Sequence, residues 1–265
     1  MILDQIVEKK IGKLNIAKQI KPIKDLKREA LLLTTDYQFE FERAMKISNE
    51  ISFICELKKA SPSKGIIVKN FDHKLLAIEY EKASADGLSV LTENDYFLGQ
   101  DLYLKDAKGL VSIPVLRKDF VIDEYQIYET KILNADALLL IVSLLDFKRL
   151  RDYIKICDDL GLSALVETRD EREIDIALEA GSRMIGVNNR DLRTFSVDNK
   201  KALRLKKHVP GDRIFVVESG ISNRDEVKMY ENVGANAILI GEHMILASDK
   251  KKYLAQLRGR ECQTK

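Results

Sequence analysis

The chain is 265 residues long and 45% hydrophobic, with 44 basic and 42 acidic side chains and a formal charge of +2. That length buries a sizeable core, and charge of both signs spread along the chain argues against a nucleic-acid partner. The longest apolar run, 137–145, already contains Ser143, residues 1–20 carry charges through their middle, and Cys55, Cys157 and Cys262 have neither zinc-site nor disulfide spacing, so we expect free thiols in a reducing cytoplasm and no membrane segment.

Residues 4–20 place Leu14, Ala17 and Ile20 near helical spacing, Pro22 stops that helix, and further helical pieces follow at 24–33 and 39–47. These form an N-terminal extension over 1–48. From 49 to 258 short apolar strands alternate with amphipathic helices. Strands are expected at 51–57, 88–92, 114–117, 137–142, 164–167, 184–187, 214–217 and 236–240. Helices are expected at 74–85, 101–110, 123–134 behind an Asp123 cap, 146–160 ended by Gly161, 171–180 ended by Gly181, 198–207, a segment capped by Ser222, and 242–258. Nothing between them reads as a linker. Eight Val/Ile/Leu-rich strands, each followed by a helix, indicate an α/β fold: one (β/α)8 TIM barrel domain spanning 1–265. A doubly wound open sheet would carry a Gly-rich fingerprint after its first strand, and Ser61-Pro62-Ser63-Lys64-Gly65 is not one.

In such a barrel the chemistry sits at the C-terminal ends of the strands. Those ends carry Glu56 and Lys58, Lys118, Glu167, Asn188 and Arg190, and Glu218 and Ser219. Side chains on a strand alternate, so Glu56 and Lys58 share a face. Two lysines, three glutamates and an asparagine on one rim are more than loop charge requires, and they mark a candidate catalytic set. After strands seven and eight, Gly220 and Gly241 stand where each strand passes into a helix, with Glu242 next in line. Backbone N–H groups exposed beside a helix N-terminus suit a phosphate, so a small phosphorylated substrate is expected.

In chain order, ELKKASPSKG, VLTENDYFLG, PVLRKDFVIDEYQIYE, LVETRDE, GVNNRDLRTF, VVESGIS and LIGEHM closely resemble the indole-3-glycerol phosphate synthase family of tryptophan biosynthesis, and the likeness includes the N-terminal extension. The resemblance implies a cytoplasmic carboxy-lyase that closes the indole ring of 1-(2-carboxyphenylamino)-1-deoxyribulose 5-phosphate with loss of carbon dioxide and water, without cofactor or metal. It implies Lys118 as general acid in closure, Glu167 as acid in dehydration, Lys58 on the substrate carboxylate or as a second acid, and Glu56 as base or as the group that orients Lys58. Asn188, Arg190, Glu218 and Ser219 would position substrate hydroxyls and catalytic side chains. Ser61, Gly220 and Gly241 correspond to phosphate contacts, with Glu242 beside them. Phe97, Phe120, Leu139, Ile141 and Leu192 are candidates for the apolar pocket, although each also suits an ordinary core. His243 departs from the pattern, which has a small residue there, and Cys55 reads as a compact apolar filler. His73 and His208 read as surface residues. A monomer is expected, with the segment after strand one, 58–66, closing over a bound anion. A sugar-phosphate isomerase, a Schiff-base aldolase and a non-catalytic phosphate binder are the alternatives on this fold.

Overall fold

The structure, a computed structural model, describes residues 2–33, 38–46, 50–191 and 194–260. Eight parallel strands close into a barrel: β1 (Ser52–Leu57), β2 (Gly87–Leu91), β3 (Val115–Lys118), β4 (Ala137–Ile141), β5 (Ser163–Thr168), β6 (Met184–Asn188), β7 (Ile214–Glu218) and β8 (Ala237–Ile240). Closure is made by β1, which pairs with β8 at Ser52↔Ala237 and with β2 at Ile54↔Gly87.

The helices of the extension are α1 (Ile2–Ile20), α2 (Ile23–Leu32) and α3 (Glu40–Lys46). Those of the barrel are α4 (His73–Lys82), α5 (Asp101–Leu110), α6 (Glu124–Ile132), α7 (Phe147–Asp159), α8 (Glu171–Glu179), α9 (Lys201–Leu205), α10 (Arg224–Asn232), α11 (Glu242–Leu246) and α12 (Lys250–Leu257). Asp123 caps α6 by accepting from the Tyr125 N–H, while Gly161 and Gly181 adopt left-handed φ angles of 70° and 93° just beyond their helices.

Three local expectations shift. Ser222 does not cap α10: the chain leaves β7 one residue later, so Asn223 takes the cap on the Glu226 N–H and Ser222 bonds the Glu226 carboxylate. The helix expected at 198–207 contracts to α9 and a following 3₁₀ turn, because Asp198 bonds back to the Asn189 carbonyl and holds its neighbours in a turn. His73 is half-buried rather than on the surface, 2.8 Å from Asp106 and against the Tyr103 ring.

Because strand side chains alternate, each strand feeds two cores. Outward residues such as Phe53, Leu88, Val166 and Phe215 pack under the helices, and Cys55 and Cys157 lie fully buried in that layer. Burial pushes both thiols far up from their ordinary range, which suits fillers rather than nucleophiles. Cys262 lies outside the described residues. Inward residues Ile54, Leu116, Leu139, Leu165 and Met184 fill the barrel, and Phe41 and Met45 of α3 join this inner core. Ile6 of α1 belongs to the same cluster and meets it near Phe120, with Leu3 packed alongside. The extension therefore touches the barrel interior from two helices. Among the described residues no helix is long and apolar enough to cross a membrane.

Candidate active site

The last inward position of most strands is polar, and these positions converge. Glu56, Lys118, Glu167, Asn188 and Glu218 all line one cavity of about 540 Å³ at the C-terminal mouth of the barrel. Lys118 Nζ, at the end of β3, bonds Glu218 Oε2 across the barrel and lies 3.5 Å from Glu167 Oε2. Lys58 Nζ sits 2.6 Å from Glu56 Oε2. The Asn188 amide donates to Glu167 Oε2 at 3.2 Å, and its own Oδ1 accepts the Arg190 N–H at 3.0 Å.

Burial sharpens these charges. Desolvation alone would pull the Lys118 ammonium down, but Glu218, Glu167 and Glu56 outweigh it and push its pKa above the ordinary lysine value. The lysine therefore meets substrate as a cation. Burial would raise Glu56, yet Lys58 and Lys118 hold it below the usual carboxylate range. Glu218 goes the other way: burial, with repulsion from Glu167 and Glu56, pushes it up to about 7 against the pull of Lys118. With Lys58 on Glu56, Lys118 is left between two carboxylates, and Glu218, only 1% exposed and with Oε1 unpaired, is the one whose charged form burial penalises most.

Room for this packing comes from glycine. A Cβ on Gly241 would lie 2.5 Å from Glu56 Oε2 and 2.9 Å from Lys58 Nζ, so no side chain fits there without splitting that pair. After β7, Ser219 and Gly220 are both left-handed, at φ 68° and 80°, turning the chain sharply into the loop before α10. Gly220, Gly241 and Ser61 line the same cavity as His243.

The apolar wall is built from Phe97, Phe120, Leu139 and Ile141. Phe97 and Phe120 meet at a centroid distance of 6.0 Å and an interplanar angle of 42°. Phe97 is held by Glu93, whose carboxylate accepts the N–H groups of Asp95, Tyr96 and Phe97. Arg190 lines the cavity and donates to the Phe195 carbonyl at 3.1 Å. Leu192 lies outside the described residues.

Several residues at the site carry no local signal in the sequence. Lys64 spans the mouth to Glu242 at 2.6 Å, pinning the loop after β1, itself a two-residue hairpin at Ala60–Ser61 and Gly65–Ile66. Lys10 of α1 reaches Asp119 at 2.6 Å, and Asp119 also accepts from Thr92 at 2.7 Å. That clamp fixes α1 beside Phe120. Asn199 lines the cavity with a buried, unpaired Oδ1.

The model of the family described as indole-3-glycerol phosphate synthase matches residues 3–257. The chain belongs to that family. It is 52% identical to the indole-3-glycerol phosphate synthase of Ruminiclostridium cellulolyticum over 98% of this chain and 99% of the relative. It is 46% identical to that of Endomicrobium trichonymphae over 97% of this chain and 100% of the other. The activity is that of the family, a decarboxylating lyase of tryptophan biosynthesis acting on a phosphorylated small molecule. Among solved structures, the 3-hexulose-6-phosphate synthase from Salmonella typhimurium superposes with a TM-score of 0.65 at 15% identity, covering 79% of this chain and 97% of that one. At that identity the likeness shows the barrel alone.

Proposed function

We propose that this cavity closes, decarboxylates and dehydrates 1-(2-carboxyphenylamino)-1-deoxyribulose 5-phosphate with Lys118 as the acid of ring closure and Glu167 as the acid of dehydration. The observation that carries the reading is the Lys118 ammonium, held inside the barrel mouth between Glu218 and Glu167 in a cavity that Phe97, Phe120, Leu139 and Ile141 also line. The aromatic end of the substrate packs on Phe97, Phe120, Leu139 and Ile141, with Leu192 assigned to the same wall from sequence alone. The phosphate meets Ser61, Gly220 and Gly241, where the backbone turns out of β7 and β8.

Lys118 donates to the ketone oxygen as the ring carbon attacks the carbonyl, so charge that would develop on oxygen is quenched in a site shielded from water. Loss of carbon dioxide then returns the bond electrons to the ring and restores its aromaticity. Glu167 protonates the hydroxyl as the carbon–oxygen bond breaks, and Glu56, kept ionised by its two lysine neighbours, accepts the proton from carbon. Lys58 holds the substrate carboxylate until it leaves. Asn188 orients Glu167, and Arg190, Ser219 and Glu218 position the remaining groups, with Glu242 at the rim holding Lys64. We expect a monomer, and two buried thiols support a reducing cytoplasm.

Rapid-quench analysis tests the two acids separately. Lys118→Ala should lower turnover by roughly a hundredfold or more while substrate still binds, since a general acid acts in the transition state. Glu167→Gln should accumulate a decarboxylated, undehydrated intermediate. Wild-type turnover in Lys118→Ala, or unreacted substrate alone in Glu167→Gln, would overturn the assignment.

A further inference from the structure

Behind the acid–amide pair of β5 and β6 lies a second chamber of about 220 Å³, which shares Ile141, Glu167, Asn188 and Arg190 with the main cavity. Its far side is formed by Leu3 and Asp4 of α1, the Ser143-Leu144 turn, Glu173 and Lys201. Lys201 also lines a third, outer pocket of about 340 Å³, and Arg169 and Asp191 are common to both of these. The three spaces therefore form a row. Glu167 and Asn188 stand at the first junction and Lys201 at the second. Lys201 is half-buried and donates to the Asn188 carbonyl at 2.7 Å, while the Asn188 side chain bonds Glu167 at 3.2 Å.

The reaction gives this row something to do. Closure takes one proton onto the ketone oxygen, dehydration takes a second onto the hydroxyl as the carbon–oxygen bond breaks, and only one returns, from carbon to the base. The substrate carboxylate leaves as carbon dioxide and carries none, so each turnover draws one proton from solvent. Glu167 is only 5% exposed, so solvent reaches it poorly. We infer that the rear chamber is the proton inlet of the enzyme, with the Lys201 ammonium passing a proton to the spent Glu167 carboxylate and the resulting amine recovering one from water in the outer pocket. This rests on the role given above to Glu167. Burial lowers the Lys201 ammonium from its ordinary value against the pull of Glu167, Asp191, Glu173 and Asp170, which makes it a readier donor than a surface lysine. Glu173 is raised by burial, offset in part by the Arg169 backbone and guanidinium, and stands on the same wall as a second group able to hold a proton.

Lys201→Arg separates a proton donor from a mere strut: the guanidinium keeps the charge and a bond to the Asn188 carbonyl but does not release a proton at neutral pH. Lys201→Met removes both, and Lys201→Arg alone carries the test if the methionine variant fails to fold. With the natural substrate both should turn over at least about tenfold more slowly than wild type and accumulate the decarboxylated, undehydrated intermediate in rapid-quench traces, because dehydration then waits on the proton of Glu167. A steady-state rate for Lys201→Arg within about twofold of wild type overturns the inlet, as does a slowed rate at which only unreacted substrate is seen, which would make Lys201 a positioning residue. Glu167→Gln run alongside tells the two failures apart: if it still stalls before dehydration while Lys201→Arg cycles normally, only the inlet falls, and if it does not stall, the role of Glu167 falls and the inlet with it.

Discussion

Glu218→Gln should trade activity for stability above neutral pH. In the folded protein this carboxyl titrates at about 7 against an ordinary 4.5, because burial and two neighbouring glutamates outweigh Lys118. A carboxyl raised on folding binds its proton more tightly in the folded state, so its contribution is fully present below pH 4.5, is lost as pH climbs to about 7 and stays lost above. The interval corresponds to a ceiling of about 3 kcal/mol. Glutamine keeps the shape and never ionises, so it removes that loss. What it gives up is the charged partner of Lys118, which retains Glu167 at 3.5 Å. Lys118 itself stays a cation throughout, since its pKa lies above the ordinary 10.5.

Urea unfolding of both proteins at intervals from pH 5 to pH 9 measures this directly. The wild type should lose on the order of 2–3 kcal/mol relative to the variant between pH 5 and pH 8, with the curves parallel beyond. Turnover of the variant should fall by about a hundredfold, because the acid of ring closure is no longer steered from across the barrel. Curves parallel over the whole range would refute the reasoning, for they would mean that Glu218 titrates alike in the folded and unfolded chain.

Gly241→Ala should cut kcat by roughly a hundredfold with a stability loss of about 1–3 kcal/mol, since the new methyl would sit 2.5 Å from the Glu56 carboxylate, and steady-state kinetics with calorimetry separates the two effects. Lys10→Met should release α1 from Asp119 at a cost of about 2 kcal/mol and raise KM more than it lowers kcat, visible as faster hydrogen exchange over residues 2–20. Glu242→Gln should free Lys64 and speed exchange of amides 58–66 in the unliganded enzyme, with protection returning on product binding; unchanged exchange in both states would rule out a lid.

The barrel is legible in the sequence because a parallel strand buried on both faces must be apolar end to end. Runs such as Ala137–Ile141 and Ile214–Glu218 therefore announce themselves, and Asp123, Gly161 and Gly181 punctuate the helices between. The site is legible for a related reason: a charge ending such a run, as Lys118 ends β3 and Glu167 nearly ends β5, has no structural motive. What stays hidden depends on contacts between distant parts of the chain. Lys64 and Glu242 are 178 residues apart, and neither has a neighbour in sequence that marks the other. Lys10 looks like one more lysine on a solvated helix until the barrel rim brings Asp119 against it. Lys201 falls in the helix expected at 198–207 beside Lys200, Lys206 and Lys207, with nothing in sequence to single it out, and its meaning comes only from the cavities on either side. The cap assigned to Ser222 misses by one residue because Asn223 offers the same chemistry next door.

Pairing with lysine explains why a buried, charged rim is tolerated at all. Glu56 bonds Lys58, and Lys118 serves both Glu167 and Glu218, so one of these three carboxylates is left without a lysine of its own. An unpaired buried carboxylate costs several kcal/mol, and the least costly remedy is a proton, which is what the raised titration of Glu218 records. Below about pH 7 this carboxyl holds a proton inside the mouth before substrate arrives. On the roles proposed above, the substrate brings a carboxylate toward Lys58, which loosens its grip on Glu56 and leaves that carboxylate freer to act as a base. Loss of carbon dioxide withdraws the added charge and lets the original pairing re-form. On those roles the surplus carboxylate makes the charge balance of the site respond to the substrate rather than resist it.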